Sequence, residues 1–438
     1  MPRLLVHFAR FGPYHLARLD AAAAVLGQSG WEVLGLETGG SDVTYAWREE
    51  SKADRSWQRH TVFPGEAAER IPASRLVDGI AAALDRLKPD AVAIAGWGSP
   101  DARVCLAWCR KHGVKAIVMS ETREADGRRV WWKEFLKSRI IRRFDAALVG
   151  GKSHRDYLVK LGLPAERIRF GYNVVDNAYF AAESAKYRCF GVSGGGLSQG
   201  SGNEEPSTKH QAQDSKSQAP GTKNQEQTPY FLASNRFIDR KNLARLIDAY
   251  ASYLQQSTIN NQQSTIVNQS APWPLCLLGD GELKASLIAQ CQELGLQVAE
   301  CAPWESDRIT ESPNHRITVH FPGFRQIDEL PRFYAHAGCF VHPALEEPWG
   351  LVINEAMACG LPILSGNNVG AAEELVDEGV NGWTFDAENV DEIARLMGRI
   401  SAFNFQLSAF GAASARILEE RCPTAAFGQG LAELLRES

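Results

Sequence analysis

The 438-residue sequence has no apolar run that approaches the roughly 18 residues needed for a membrane-spanning helix. A signal-peptide pattern is also missing, because the apolar run 4–8 is short and is soon followed by Arg10. The net charge of -5 gives no overall positive field of the kind that attracts nucleic acid. These absences predict a cytoplasmic protein that does not bind nucleic acid.

Disulfide and metal chemistry also find little support in the sequence. The nine cysteines are an odd number, and most lie in apolar runs, as reduced core thiols do. Cys105 and Cys109 are close in sequence, but no matching pair of Cys or His completes a zinc site. We therefore expect neither a disulfide framework nor a bound metal.

The hydrophobic pattern along the chain predicts α/β structure. Short, continuously apolar runs alternate with helix-length segments, which is typical of parallel sheets covered by helices on both faces. The length suits two doubly wound domains, which we expect to face each other across a central cleft. Strands are predicted at 4–8, 32–36, 91–95, 115–119, 146–150 and 167–171 in the first half, and at 230–234, 274–279, 317–321, 339–343 and 362–366 in the second.

The predicted boundaries place one Rossmann-like domain at 1–180 and another at 229–415. Between them, 181–228 is a low-complexity insert, most of which cannot bury a core, so we expect disorder there. A second polar insert, 255–269, repeats Gln-Gln-Ser-Thr-Ile and is predicted to expand a loop. The remaining residues, 416–438, are predicted to form a C-terminal helix that could cross back to the first domain.

Two carboxylates, Glu347 and Glu355, flank the start of a predicted helix at Leu351–Cys359 that is apolar almost all round. Such a helix is normally buried, and a buried carboxylate without partners is strongly destabilising. The first N–H groups of the helix, at Gly350–Val352, could bind a phosphate, and Glu355 lies one turn below them. Two adjacent hydroxyls of a bound ribose would then partner Glu355. The alternative is a structural carboxylate bonded to neighbouring backbone.

Three further motifs belong to the same predicted edge of the second sheet. Arg236 and Lys241 follow a strand at a spacing that lets both reach one diphosphate, although two solvated surface cations remain the alternative. Gly279 and Gly281 form a tight turn that could let the backbone approach a ligand, or a plain turn. Phe324 follows another strand and could pack against a nucleotide base, or belong to a structural loop.

These motifs together carry a family resemblance. Glu, seven residues, then Glu-Ala-Met-Ala-x-Gly-x-Pro resembles the signature of the family 4 retaining glycosyltransferases, which have the GT-B fold. The resemblance covers 229–386 and is looser in the first domain, where "FGPYHLARL" and "GYNVVDNAYF" carry it. The chain departs from the family pattern at Asn235 and Ala371, where glycine is usual, and at "MSETREADGRR", where a histidine is usual.

The resemblance implies an enzyme that moves a sugar, with retention of configuration, from a UDP- or GDP-type donor. The acceptor stays open: a carbohydrate, a lipid-linked molecule or a small molecule. The resemblance implies that Arg236 and Lys241 bind the diphosphate and stabilise the leaving group, that Glu347 contacts the donor sugar, and that Glu355 binds the ribose. No cofactor is implied, and the chain contains no Asp-x-Asp, which agrees with leaving-group stabilisation by cations and a helix terminus.

The remaining site residues are also assigned from the resemblance. Gly12 is expected to let the first β–α loop approach the donor, and Glu374 to cap the phosphate loop. His15 is expected to touch the acceptor or sugar, unless it is a helix histidine with protein partners only. The full expected donor contacts are Glu355, Gly350, Leu351, Val352, Gly279, Gly281, Phe324, Gly12 and Glu374, and the expected acceptor contacts are His15, Glu121 and Arg129.

Two other functions remain alternatives at this point. A sugar-nucleotide epimerase on the same fold would need catalytic acids in the first domain, which the sequence does not identify. A nucleotide-sugar-binding subunit without activity would be expected to have lost the charged pairs, and this chain keeps both.

A basic segment, 128–144, completes the sequence features of interest. It carries seven Arg and Lys residues against one acid, with Trp132, Leu136, Ile140 and Phe144 at four-residue spacing. Basic and aromatic residues at helical spacing indicate docking on a membrane surface, here the inner membrane surface. A core stripe with a solvated basic back and a site for an anionic acceptor are the alternatives.

Overall fold

The computed structural model describes residues 1–41, 47–48, 55–188, 228–263, 271–306, 318–402 and 406–436. Most of the low-complexity insert 181–228, for which disorder was predicted, therefore lies outside the described residues. The described residues form two seven-stranded sheets, flanked by helices, in which all paired strands are parallel. The prediction of two doubly wound, Rossmann-like domains is confirmed.

The first sheet has the order β3-β2-β1-β4-β5-β6-β7. Its strands are β1 (Arg3–Phe8), β2 (Glu32–Ser41), β3 (Gln58–Ala67), β4 (Ala91–Ala95), β5 (Lys115–Ser120), β6 (Ala146–Val149) and β7 (Ile168–Phe170). The helices are α1 (Pro13–Gly27), α2 (Ala73–Leu87), α3 (Pro100–His112), α4 (Trp131–Ile141), α5 (Lys152–Lys160) and α6 (Asn177–Ala185).

The second sheet has the order β10-β11-β9-β8-β12-β13-β14. Its strands are β8 (Tyr230–Ser234), β9 (Leu275–Leu278), β10 (Gln297–Ala299), β11 (Thr318–Gly323), β12 (Ala337–His342), β13 (Ile363–Gly366) and β14 (Gly382–Phe385). The helices are α7 (Leu243–Gln263), α8 (Lys284–Glu293), α9 (Pro303–Ser306), α10 (Leu330–His336), α11 (Leu351–Ala358), α12 (Gly370–Leu375), α13 (Val390–Ala402), α14 (Leu407–Arg421) and α15 (Ala426–Arg436).

In each sheet, successive strands are added first on one side of the first strand and then on its other side. β1 lies between β2 and β4, and β8 lies between β9 and β12. Ligands of doubly wound sheets bind beyond the carboxyl ends of the strands at such a switch point. The loops that follow β1, β8 and β12 carry Gly12, Lys241 and Glu347, so the fold places these three predicted site residues at the switch points.

The three strands that sequence analysis missed are all edge strands. β3, β10 and β14 lie at sheet edges, and the first two are mostly half-buried or exposed. An edge strand packs on fewer neighbours, so it needs no continuous apolar run. The pattern that reveals the central strands is therefore absent from these three.

The second polar insert is not wholly a loop, as had been predicted. α7 continues through Gln263, so the first part of 255–269 is helical, and the last part lies outside the described residues. The helix is anchored by buried residues within its first twelve positions, such as Leu246, Tyr250 and Leu254. The following Gln, Ser, Thr and Asn residues include no Gly or Pro that would end it.

The chain crosses between the domains near its middle and again near its end. α6 packs on α10 and α11, and α15 packs on α1, β6 and β7 of the first domain. Lys115 Nζ donates to the carbonyl of Leu434 at 2.5 Å, and Arg169 pairs with Glu433 at 2.9 Å. One apolar cluster consequently runs through both domains.

None of the helices among the described residues combines the length and the apolar character that a membrane crossing requires.

Candidate active site

A buried ion pair joins the loops that follow β8 and β12. Lys241 Nζ donates to a carboxylate oxygen of Glu347, and the two side chains are only 11% and 13% exposed. Burial is the largest influence on Lys241 and lowers its pKa, while Glu347 opposes that shift. Arg240 and Arg236 lower the pKa further, which places three cations within electrostatic reach of one another. Such a cluster is favourable for a polyanionic ligand.

The loop that presents Lys241 is held by its neighbour. Asn242 has a φ of 58°, and its Nδ2 donates to the carbonyls of Pro343 at 3.0 Å and Ala387 at 2.6 Å. An asparagine tolerates this left-handed conformation better than most residues do. These bonds fix the Lys241 loop against the segment that leads to Glu347.

Gly350 begins α11 in a left-handed conformation, with a φ of 99°. The loop before it is paired with the start of α12: Gly370 N donates to Glu347 O at 3.1 Å, and Ala371 N to Trp349 O at 2.9 Å. Leu351 and Val352 therefore start the helix beside the ion pair, as the phosphate-binding prediction requires. Phosphate binding itself stays a prediction.

Two buried polar side chains, one beside this loop and one after β8, were not predicted as site residues. A Cβ on Gly350 would lie 3.5 Å from Nε2 of His342, which is fully buried and has no hydrogen-bond partner within the described residues. Burial, Lys241 and Arg240 hold the pKa of His342 well below its ordinary value. Asn235, where the family usually has glycine, is also buried with an unpartnered side-chain amide in the described structure.

Glu355 is fully buried and is partnered by two tyrosines. Tyr14 of the first domain donates to Oε1 at 2.6 Å, and Tyr334 of the second donates to Oε2 at 2.7 Å. Burial raises the pKa of Glu355 to about 7, and the two hydroxyls act in the opposite direction. The expectation that ligand hydroxyls alone offset the burial is wrong, because both oxygens already have protein partners; ribose binding stays a prediction.

The predicted glycine turn after β9 is explained by packing within the protein. A Cβ on Gly279 would lie 1.8 Å from the backbone oxygen of Asn235, and one on Gly281 would lie 2.5 Å from that of Phe237. No side chain fits at either position. The close approach that sequence analysis attributed to a ligand is an approach to the loop after β8, so a donor contact here stays a prediction.

Phe324 takes part in an aromatic contact between the domains. Its ring packs edge-on against that of Trp47 at a centroid distance of 5.2 Å, and Trp47 also contacts Tyr14 at 6.3 Å. Arg48 N donates to Gln326 Oε1 at 3.0 Å. The position expected for a nucleotide base therefore adjoins aromatic side chains of the first domain.

Gly12 and His15 form the start of α1. Gly12 N donates to His15 Nδ1 at 3.0 Å, and burial lowers the pKa of His15 to about 3, so its imidazole is neutral. A Cβ on Gly12 would have no neighbour closer than 3.7 Å. This geometry favours the helix-capping alternative for His15 and shows no steric need for glycine at position 12.

Glu121 follows β5 where the family usually has histidine. Burial of its carboxyl raises the pKa of Glu121; Glu347 adds to that rise, and Arg18 and Arg240 oppose it. Glu121 directly follows β5, so it lies at the carboxyl ends of the first sheet's strands, where ligands of doubly wound sheets bind. Arg240 is a further residue that sequence analysis missed, although its position beside Lys241 was a usable signal.

Two predicted site residues have other roles in the structure. Glu374 accepts a 2.5 Å bond from Lys152 N at the start of α5 and so caps a helix of the first domain, not the phosphate loop. Arg129 stabilises the loop before α4, because it donates to the carbonyl of Glu124 at 2.7 Å and to that of Arg123. Neither side chain is brought to the Lys241–Glu347 pair by these contacts.

A cavity of about 670 Å³ lies elsewhere on the protein. It is lined by residues at the amino ends of β5 and β6, including Lys115 and Asp145, and by Arg110 and Arg167. Ligands of doubly wound sheets bind at the opposite ends of the strands, so we assign the cavity no role in catalysis. Among the described residues, no group of three or more His, Cys, Asp and Glu is arranged to hold a metal.

Two Rossmann-like domains with charged loops at their switch points define the GT-B architecture. The family described as glycosyl transferases group 1 matches residues 214–403, and glycosyltransferase family 4 matches residues 19–179. The chain belongs to these glycosyltransferases.

Curated relatives match over short segments. The O-antigen chain mannosyltransferase B of Escherichia coli is 33% identical over 94 residues, which are 21% of this chain and 24% of the relative. Sucrose synthase 6 of Arabidopsis thaliana is 49% identical over 61 residues, 14% of this chain and 6% of the relative. The chain thus spans about a quarter or less of the length of these two relatives.

Solved structures match over the whole chain at low identity. The Anabaena protein HepE in complex with UDP and glucose has a TM-score of 0.65 and 17% identity, covering 100% of both chains. A sucrose-phosphate synthase from Thermosynechococcus elongatus has a TM-score of 0.66 and 16% identity, covering 100% of this chain and 99% of the other. At these identities the likeness shows the fold alone.

Proposed function

We propose that the protein transfers a sugar from a nucleoside diphosphate donor to an acceptor hydroxyl, with retention of anomeric configuration and without a metal. The observation that carries this proposal is the buried Lys241–Glu347 pair beside the start of α11. A cation, a carboxylate and free helix N–H groups together suit a diphosphate that carries a hydroxyl-rich sugar.

The cations supply the stabilisation that the reaction needs. When the bond between the anomeric carbon and the diphosphate oxygen breaks, negative charge grows on the diphosphate. Lys241, with Arg236 and Arg240 near it, meets that charge in a site shielded from water, where electrostatic stabilisation is strong. Donor binding would draw Lys241 from Glu347 to the diphosphate and leave Glu347 to accept hydrogen bonds from the sugar.

The nucleoside is proposed to lie along α11, with its ribose at Glu355 and its base near Phe324. Tyr14 and Trp47 of the first domain contact these residues in the present structure. The ribose hydroxyls would therefore take over the bond that Tyr14 makes, and the domains would separate locally to admit the base.

The donor is proposed to be a UDP- or GDP-sugar. The structural neighbour HepE was solved with UDP and glucose, and a mannosyltransferase of Mycolicibacterium smegmatis, described as GDP-mannose-dependent, is 33% identical over 25% of this chain. These names support the class of donor and do not choose between the two bases. The acceptor is proposed to be a carbohydrate, a lipid-linked molecule or a small molecule.

A panel of UDP- and GDP-sugars tests the proposal. The purified full chain should release nucleoside diphosphate slowly by hydrolysis from one donor, and EDTA should leave that rate nearly unchanged. Release that disappears in EDTA would contradict the metal-free mechanism. Epimerised donor without release would favour an epimerase, and tight binding without turnover would favour a binding subunit.

The configuration of the product tests retention separately. Once a simple hydroxyl acceptor supports transfer, proton NMR of the fresh product should show the same anomeric configuration as the donor. An inverted product would contradict the retaining mechanism while leaving the donor assignment in place.

A further inference from the structure

α4 exposes large apolar side chains that a folded protein normally covers. Trp131 is 82% exposed, Trp132 48%, Phe135 56% and Leu136 51%. These four residues occupy adjacent positions on the first two turns of the helix and form what we call the α4 apolar face. An exposed cluster of this kind indicates an interaction surface.

Poor anchoring of α4 does not explain this exposure, because the helix is held by specific contacts. On its inner side Glu134 accepts bonds from Tyr157, at 2.8 Å, and Lys137, at 2.8 Å, while Ser138 donates to the carbonyl of Leu161 at 2.6 Å. The inner side therefore packs on α5 through specific polar contacts. The outer side is left open by a helix that is fixed in place.

The predicted apolar stripe needs correction in this respect. The helix ends at Ile141, so Phe144 lies beyond it and is buried, whereas Trp132 and Leu136 are exposed. The four residues of the predicted stripe therefore do not share one face. The interpretation of the stripe as part of the core is wrong for Trp132 and Leu136. The exposed face instead combines two pairs of neighbours, 131–132 and 135–136.

The charge around the α4 apolar face has one sign. The five exposed charged residues within 128–144 are all cations, and the single acid of that segment, Glu134, is paired on the inner side. Lys133 lies 5.5 Å from the ring of Trp132, and Arg139 lies 5.5 Å from the ring of Phe135. The exposed cations are Arg128, Lys133, Arg139, Arg142 and Arg143.

We propose that the α4 apolar face docks on an anionic lipid surface, with Trp131 and Phe135 inserted at the boundary and the cations against the headgroups. A helix with aromatic residues on one face and cations beside them has the properties of an interfacial helix. A second copy of the chain would bring a surface of the same charge, which opposes self-association through this face.

Docking would also place the cleft near the lipid. The loop between β5 and α4 starts at the carboxyl end of β5, on the ligand-binding edge of the first sheet, and Arg123 Nη2 in this loop donates to Asn368 O of the second domain at 3.1 Å. Arg129 joins the same loop to the helix by bonding the carbonyl of Glu124 at 2.7 Å. One short, internally bonded segment therefore connects the docking helix to the cleft.

Co-sedimentation of the full chain with vesicles tests the proposal. We expect binding to an equal mixture of phosphatidylcholine and phosphatidylglycerol, no binding to phosphatidylcholine alone, and weaker binding as salt is raised. Trp131→Ser with Phe135→Ser should weaken partitioning at least about 10-fold through loss of apolar insertion. Lys133→Gln with Arg139→Gln should weaken it about 30-fold, the scale for two cations at an anionic surface.

Matched controls keep the result specific to this helix. Leu294→Ser with Val380→Ser removes two exposed apolar residues from the second domain, 43% and 46% exposed, and Arg395→Gln with Arg416→Gln removes two exposed cations there. Both control pairs should bind vesicles as the wild type does, and all variants should keep the wild-type melting temperature.

Several outcomes would overturn the proposal. These are wild-type protein that ignores the anionic vesicles, binding that survives both α4 variants, or equal loss in the controls. A dimer in sedimentation that Trp131→Ser with Phe135→Ser converts to a monomer would identify a second copy as the occupant instead. Because the vesicle experiment uses no sugar nucleotide, a failure of lipid docking would not contradict the proposed sugar transfer. A failure of sugar transfer would likewise not contradict lipid docking.

Discussion

The two carboxylates at the start of α11 are eight positions apart and are held in different ways. Glu347 is paired with the buried cation Lys241 of its own domain, and two arginines lie within electrostatic reach. Glu355 has neutral partners, Tyr14 and Tyr334, which come from different domains. The first carboxylate therefore belongs to a charged site formed by one domain alone. The second keeps both of its hydrogen bonds only while the two domains are packed together.

This difference predicts different experimental signatures. In the proposed reaction, changes around Glu347 alter the charge near the breaking bond, so they should appear in kcat. Changes around Glu355 alter the contact between a titratable carboxyl group and two neutral hydroxyls at the proposed ribose site. They should therefore appear in nucleotide affinity and in stability. The predictions below test whether the two regions separate in this way.

The largest expected effect is that of Lys241→Ala on turnover. Loss of one preorganised charge that stabilises a leaving group lowers kcat by about 100-fold or more, and KM should change less, because the charge grows only as the bond breaks. Steady-state kinetics with the donor identified by the panel measure both constants.

Lys284→Ala is the matched control, since Lys284 is a lysine of the same domain in a surface pair with Glu300 at 2.8 Å. It should keep kcat close to the wild-type value. A folded Lys241→Ala variant with unchanged kcat would show that the cation cluster does not act on the leaving group.

The second prediction separates the two carboxylates. Glu355→Gln should weaken binding of the bare nucleoside diphosphate by about 1–3 kcal/mol, the scale of hydrogen bonds to a charged group. Glu347→Gln should affect this affinity much less, because the bare nucleotide carries no sugar, but it should lower kcat with the complete donor. Calorimetry and kinetics on both variants make the comparison, and equal losses of affinity would remove the distinction between the two regions.

The third prediction concerns pH. The pKa of Glu355 is about 7, and ribose hydroxyls donate best to its ionised form. Binding should therefore release a proton, and affinity should rise about 10-fold between about pH 6 and about pH 8 before it levels off. Calorimetry in buffers of different ionisation enthalpy measures both quantities. Glu355→Gln should remove this rise, and a rise that persists in the variant would assign the proton to another group.

Sequence analysis was most successful where a pattern serves packing and chemistry together. The apolar runs of the central strands predicted both sheets, since a parallel strand buried on two faces must be apolar throughout. The carboxylates on either side of the helix start and the cations after β8 were picked out as site residues, and the structure pairs Lys241 with Glu347, although that pairing itself was not predicted. The resemblance to the family and the physical interpretation coincided there.

Residues that act across the cleft were harder to predict. Tyr14 bonds Glu355 over a separation of 341 positions, and Glu374 caps α5 over 222 positions from Lys152. No local pattern indicates such a partner, because it depends on how the two domains pack. The stripe around Phe144 was misassigned for the same reason, because its burial depends on neighbours distant in sequence, whereas the missed edge strands lack the apolar run that reveals a central strand.

The smallest expected effect distinguishes the two tyrosines from an ordinary buried tyrosine. Tyr14→Phe and Tyr334→Phe should each lower the free energy of unfolding by about 1 kcal/mol above pH 7, the scale of one lost hydrogen bond. The folded-state pKa of Glu355 lies above its ordinary value of 4.5, so its contribution to folding is fully present below that value and is lost as pH rises through about 7. Each hydroxyl stabilises the ionised form, so its removal should matter most above pH 7 and least below pH 5.

Tyr230→Phe is the control, because its hydroxyl donates to the neutral carbonyl of Phe333 at 2.7 Å and the effect of its loss should not depend on pH in this range. Denaturant titrations at a series of pH values measure all three variants, and parallel pH profiles would show that Glu355 is not the titrating partner.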